Sequence, residues 1–109
     1  MNVKSVKAKG RVLQNLVRDR LHKIFPKLSK DIKSQTMGMT GMDIVLTPLA
    51  QKKIPYAFEC KNVERFDLWK TWDQAKDNAD NLEPVVVVKK NRRKPKVVID
   101  LELFLKLIK

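Results

Sequence analysis

Three residues of this chain have the types and spacing needed for phosphodiester chemistry: Asp43, Glu59 and Lys61. Asp43 follows Gly41-Met42 at the head of a short β-forming run, Ile44-Val45-Leu46. Glu59 and Lys61 lie two apart in a second run, Tyr56 to Lys61. Strand side chains alternate between faces, so Glu59 and Lys61 point the same way, about 6–7 Å apart along the backbone. If the two strands are neighbours, Asp43 reaches the same patch. Two carboxylates can hold a magnesium or manganese ion that also takes waters and a phosphate oxygen, and the backbone carbonyl of Cys60 can add a ligand. Such an ion polarises the phosphate and lowers the pKa of a bound water. The Lys61 ammonium can orient or deprotonate that water, or stabilise the developing charge. The spacing alone is common, and a Glu and a Lys two apart on a strand are usually just an exposed ion pair. Its setting adds weight: the strand is flanked by apolar Phe58 and Cys60, where charged groups are costly without a task.

The elements that must position these residues follow from periodicity. Residues 1–7 read as a loose basic start. Leu13, Leu16, Val17, Leu21 and Ile24 recur at three and four, which predicts a helix from Ala8 to Phe25, ended by Pro26. Ser34 to Gly41 reads as a short strand and a turn. Asp43 to Leu46 is a strand, Thr47 to Pro55 a connector, and Tyr56 to Lys61 a second strand, antiparallel to the first and beside it. Leu68, Trp72, Ala75, Ala79 and Leu82 mark an amphipathic helix over 66–82. The apolar run Val85 to Val88 reads as a strand buried on both faces. A basic turn over 89–96 then leads to a strand at Val97 to Ile99 and a last helix capped by Asp100. The order predicts one α/β domain over residues 1–109, a mixed sheet of about four to five strands flanked by helices.

Charge narrows the partners. The chain has 109 residues and a net charge of +12, which favours polyanions, nucleic acid first among them. Ten Lys or Arg fall within residues 1–33, and six within the eight residues of the turn 89–96. Lys9, Arg11 and Arg18 on the first helix, with Lys89, Lys90, Arg92, Arg93 and Lys94 on the turn, are the candidate DNA phosphate contacts. Charge by itself does not separate DNA from RNA or an acidic protein. A single cysteine and a single histidine exclude a disulfide and a zinc site of ordinary ligand count. No apolar stretch reaches membrane-spanning length and no secretory signal is visible, so a cytoplasmic protein is expected. None of the three glycines forms a nucleotide-binding loop. His22 reads as a surface residue of a basic helix, Cys60 as a core residue, Trp72 as core, and Trp69 as lying off the apolar stripe.

The segments GMDIVL and YAFECKN, followed by a helix containing WDQA, resemble the PD-(D/E)XK nuclease superfamily, closest to small phage-type nucleases and archaeal-type Holliday junction resolvases. The resemblance covers most of the chain, with ECK its most specific piece. It implies a restriction-endonuclease-like core. It also implies that Asp43 and Glu59 bind Mg2+ or Mn2+, that Lys61 acts at the attacking water, and that Gln74 faces the site. Ser34 or Thr36 would match a hydroxyl that contacts the phosphate. Many relatives carry a glutamate in the first helix that helps hold metal; the nearest counterpart here is neutral Gln14. Glu64 either compensates for it or is a solvated residue before the helix. A metal-dependent DNA endonuclease, structure-selective and dimeric so as to make two symmetric cuts, is the resulting expectation. The alternative is a basic DNA-binding module that keeps the fold without cutting. For the dimer, the acidic 64–83 helix against the basic first helix would supply complementary surfaces.

Overall fold

A computed structural model describes residues 3–36 and 38–109, with side chains from residue 6 onward. It contains four helices, α1 (Val3–Ile24), α2 (Pro48–Lys53), α3 (Leu68–Asn78) and α4 (Leu101–Leu107). There are five strands, β1 (Ile32–Ser34), β2 (Ile44–Leu46), β3 (Tyr56–Asn62), β4 (Glu83–Lys89) and β5 (Lys96–Val98). Among the described residues, no helix is long and apolar enough to cross a membrane.

The α1 helix begins earlier than its apolar stripe, at Val3. No proline stands in the way, so the helix propagates beyond the part that packing requires. Residues 1 and 2, the rest of the expected loose start, lie outside the described residues. Pro26 ends α1 as expected and opens a 3-10 turn, Pro26–Asp31, that feeds β1. The connector after β2 is itself helical. Thr47 caps α2 by accepting a hydrogen bond from the Ala50 amide at 3.3 Å, and Pro48 takes the first turn, where its missing N–H costs nothing.

The strands form two sheets rather than the single sheet the sequence predicts. β3, β4 and β5 make a mixed three-stranded sheet, β3 parallel to β4 and β4 antiparallel to β5. β1 and β2 form a separate antiparallel pair. The expected antiparallel pairing of the Asp43 strand with the Glu59 strand is therefore not formed as a ladder. The reason is length. β2 has three residues before Thr47 turns into α2, too few to run along β3. A backbone bond from the Asp43 amide to the Phe58 carbonyl, 3.0 Å, ties β2 to the edge of β3.

Two apolar clusters hold these layers together. Ile32, Ile44, Leu46, Ala50 and Ile54 pack under Val17, Leu21 and Phe25 of the first helix and its end. Leu13, Cys60, Val85 and Val87 form the second, again with Val17 of α1. Val86 is fully buried, so β4 is covered on both faces, as its unbroken apolar run predicts. Because Cys60 faces α1, strand alternation turns Glu59 and Lys61 to the other face, where α3 lies. His22 is not a surface residue: it is half-buried, and Nε2 is 2.8 Å from the Ile32 carbonyl, joining α1 to β1.

Candidate active site

A cavity of about 620 Å³ opens where α1, the loop before β2, β3 and α3 meet. Asp43, Glu59, Lys61, Gln74 and Cys60 all line it. The residues singled out in the sequence for chemistry are thus brought together, although the strand pairing that was to do so is absent. Local backbone explains the approach of Asp43. Gly41 has φ of +103°, a conformation that favours glycine, and it turns the chain just before β2. The Asp43 amide then bonds Phe58, its carbonyl accepts from the Gln35 amide at 2.8 Å, and its carboxylate Oδ2 accepts from the Cys60 amide at 2.6 Å.

That last bond also bears on Cys60. The N–H and C=O of one strand residue point to the same side. The Cys60 amide faces Asp43, so its carbonyl lies on that open edge of β3, away from the β4 ladder. The thiol packs into the core, and burial pushes its pKa far up, with Asp43 and Glu59 acting the same way.

The carboxylates are held under electrostatic load. Burial raises the Asp43 pKa, while the Cys60 amide and Lys61 act to lower it. Glu59 is only 5% exposed. Burial, and next the charge of Asp43, raise its pKa to about 7; Lys61 and the Asn78 side chain oppose this. Among the described residues its Oε2 atom has no hydrogen-bond partner, and neither does Oε1 of Gln14, which is 6% exposed on the same cavity. Buried acceptors are normally satisfied. Two unsatisfied ones beside a second carboxylate make a site with unused capacity for a hard cation. Among the described residues no three His, Cys, Asp or Glu side chains gather at ligand spacing. The donor set is two carboxylates, the Gln14 amide oxygen and the Cys60 carbonyl. It fits magnesium, which takes one or two carboxylates and fills its remaining positions with water and substrate oxygens.

The α3 wall contributes more than Gln74. Lys70, Asp73, Asp77 and Asn78 also line the cavity. With Gln74 they recur at i, i+3, i+4, i+7 and i+8, a polar helical stripe flanked by buried Thr71 and Ala75. That polar spacing is present in the sequence, interleaved with the apolar stripe of the same helix. Gln14 of α1 also lines the cavity. Glu64 does not line it. Its Oε2 accepts from the Asn91 amide at 2.8 Å and pairs with Lys9 at 3.5 Å. The Asn91 amide, with help from Lys9 and Lys90, holds its pKa below the usual range. Glu64 is a clasp for the basic turn, not a substitute ligand.

The candidate DNA contacts divide. Lys90, Arg92, Arg93 and Lys94 are exposed on the turn between β4 and β5, and Lys89 is half-buried there, its Nζ 3.1 Å from the Lys90 carbonyl. The turn is closed by the Arg93 amide on the Lys90 carbonyl, 3.2 Å, with Arg92 at φ +62°. It sits close to the cavity. Lys9, paired with Glu64, precedes cavity residue Gly10 on α1, and Asn62, which follows Lys61, donates to the Lys9 carbonyl at 2.9 Å. Arg11 is exposed on α1. Arg18 is engaged by Asp19 at 2.9 Å. Ser34 lies off the cavity, where its hydroxyl donates to Asn15 Oδ1 at 2.9 Å, and Thr36 is exposed outside the cavity lining. Both depart from the expected phosphate-contacting hydroxyl, because β1 pairs with β2 beside α1 and carries these residues away. Trp69 is 74% exposed, in keeping with its place off the apolar stripe; Trp72, expected in the core, is only half-buried.

Set against models of protein families, curated proteins and solved structures, the chain matches none of them.

Proposed function

We propose that this protein is a metal-dependent nuclease that hydrolyses phosphodiester bonds in DNA, with Asp43 and Glu59 as Mg2+ or Mn2+ ligands and Lys61 as the group acting at the attacking water. The observation that carries the reading is the cavity: two carboxylates and an ammonium converge there, and among the described residues Glu59 Oε2 and Gln14 Oε1 lack partners. The resemblance of GMDIVL and YAFECKN to the PD-(D/E)XK superfamily supports the same assignment, and with it a restriction-endonuclease-like core built on β2, β3 and α3.

A bound divalent cation would supply Lewis-acid polarisation of the phosphate and a water of lowered pKa. The chain's own groups do the rest. The Cys60 amide fixes the Asp43 carboxylate, so one ligand is oriented before substrate arrives. Lys61, on the same strand face as Glu59, presents its ammonium to the cavity, where it orients the attacking water and balances charge on the phosphoryl oxygens. Gln74 and Asn78 offer amides from α3 to position that water or the phosphate. The basic turn, tied by Glu64 next to the cavity rim, holds the sugar–phosphate backbone without reading bases. Such contacts suit a structure-selective enzyme, one that cuts branched DNA such as a four-way junction.

A second reading is favoured by one residue. Gln14 stands where an acid would complete the ligand set, which suits a DNA-binding module that no longer cuts. Cleavage of labelled linear, flapped and four-way DNA by the wild type and Lys61→Ala, with Mg2+, Mn2+ or EDTA, separates the two. The expected result is metal-dependent cutting that falls by about 10²- to 10⁴-fold in Lys61→Ala with DNA binding retained. Tight binding by both proteins with no cleavage under any condition establishes the binding module instead.

A further inference from the structure

A second concave surface lies beside the cavity on the α3 side of the sheet. Lys61, Val88 and Lys96 stand in register across β3, β4 and β5, so their side chains share one face. Lys61 lines the cavity of the candidate active site, whereas Val88 and Lys96 line a separate pocket of about 360 Å³. That size falls within the ~300–1,000 Å³ usual for small-molecule sites. Neighbouring strands are ~4.8 Å apart, so Lys96 stands ~10 Å across the sheet from Lys61.

The lining of this pocket selects an anion. Lys89, Lys90, Arg93, Lys94 and Lys96 all contribute to it. Among the described residues none of the five is in an ion pair. The carboxylate on the wall, Glu64, is already engaged by the Asn91 amide and Lys9, so it holds the turn in place and does not neutralise the pocket. Cations crowded around so small a space repel one another, and an anion among them relieves that repulsion. Their number bears on which anion fits. An internal phosphodiester carries one negative charge, whereas a phosphate monoester carries about −1.5 to −2 at neutral pH and three strong acceptor oxygens. Five cations around one concavity match the monoester. The remaining wall is apolar, made by half-buried Phe66 with Val63 and Val88. Inorganic phosphate has no use for such a wall, but a nucleoside does. An aromatic ring beside cations is a platform for an unpaired base and its phosphate. A strand's last nucleotide, stacked on one side only, is the one that unstacks at least cost.

We propose that this pocket is a subsite for the terminal phosphate of a DNA strand, with the phosphate on Arg93 and the surrounding lysines and the terminal base against Phe66. The subsite goes beyond a general backbone contact by the basic turn, because it makes the protein selective for a phosphorylated strand end. It rests on DNA being the partner, and not on the neighbouring cavity being able to cut. Arg92 marks its boundary. It is exposed on the same turn but lies outside the pocket lining. Arg92 can serve any phosphate, whereas Arg93 serves the strand end.

Fluorescence anisotropy of the full chain tests it, in EDTA so that metal-dependent cutting plays no part. Three single-stranded oligonucleotides of one sequence are compared, with a 5′-phosphate, a 3′-phosphate, or hydroxyls at both ends, each carrying an internal fluorophore. One phosphorylated strand should bind at least about tenfold more tightly than the hydroxyl strand, and which one names the polarity. The double variant Arg93→Ala/Lys96→Ala should bring all three strands to within about twofold of one another. Phe66→Leu keeps the apolar bulk, removes the ring, and should reduce the preference. Arg92→Ala should weaken all three strands alike and leave the preference intact. Equal affinity of the wild type for the three strands overturns the proposal. So does a preference that Arg92→Ala reduces as far as the pocket variant does, since general charge would then account for it. The outcome is separate from that of the cleavage assay. A protein that discriminates strand ends but cuts nothing keeps the subsite and loses the nuclease reading, and one that cuts without discriminating does the reverse.

Discussion

Replacing Glu59 by glutamine should make the metal-free protein more stable at alkaline pH, an unusual outcome for removing a residue from a candidate active site. The carboxyl is 5% exposed, and burial with the charge of Asp43 raises its pKa from 4.5 to about 7. Below pH 4.5 the group is protonated in both the folded and unfolded chains and has no effect on their balance. Between 4.5 and 7 the unfolded chain releases the proton while the folded chain retains it, so stability falls as pH rises. Above 7 both forms are ionised and the full penalty applies. At about 1.36 kcal/mol for each tenfold change, the penalty is about 3 kcal/mol. That is a large part of the stability of a domain of this size. The neutral amide of Glu59→Gln does not ionise. Denaturant unfolding in EDTA at pH 5 and pH 8 reads the effect directly. Because part of the penalty is already present at pH 5, the wild type should lose about 2.5 kcal/mol more than the variant between the two pH values. Asp43, also raised by burial, contributes a slope of the same sign to both proteins, and the difference between them removes most of it. Added Mg2+ at pH 8 should restore wild-type stability and leave the variant unchanged, since the cation binds only the folded chain with its carboxylates in place. If both proteins show the same pH dependence, Glu59 is not held under load and the argument for a cation site loses its electrostatic basis.

Three further outcomes follow from the same geometry. Gln14→Glu puts a third carboxylate beside Glu59 and Asp43. It should tighten Mg2+ binding roughly tenfold by calorimetry, through added ligand charge, while lowering the melting temperature of the metal-free protein through like-charge repulsion. Exchanging Arg92, Arg93 and Lys94 for alanine should weaken duplex binding and reduce its salt dependence. The slope of log K against log salt should shrink by about 0.9 for each cation that contacts a phosphate, and an unchanged slope places the DNA track elsewhere. Cys60 packs in the core with its thiol pKa pushed far up. It should resist thiol reagents at pH 8 in the native protein and react once denaturant is added, and rapid native labelling would show that β3 is not packed against α1 as described.

The chemistry-bearing residues were legible because they are local features of strands. The two-residue step from Glu59 to Lys61 puts both on one face in any sheet, and the resemblance singled out Gln74 on the following helix. The run that makes β4 appears where its pattern places it; α3 keeps Leu68, Trp72 and Ala75 of its seam but ends at Asn78, short of the expected Leu82, where Asp80 takes a φ of +54°. The sequence by itself therefore determined which side chains share a face, where the cations concentrate, and most of the helices and strands, but not α2, which reads as a connector, or the first turns of α1. Tertiary structure decided what those faces meet. β2 is too short to pair along β3, so a single backbone bond and the Asp43–Cys60 contact close the site in place of a ladder. Glu64 was ambiguous because its partners, Lys9 and Asn91, lie far from it in sequence, and only folding brings them to it. The same holds for Ser34, held by Asn15, and for His22, held by Ile32. Periodicity reports a residue's neighbours along its own element. Pairing of a polar group across elements depends on distances set by the packed core, which no local pattern encodes.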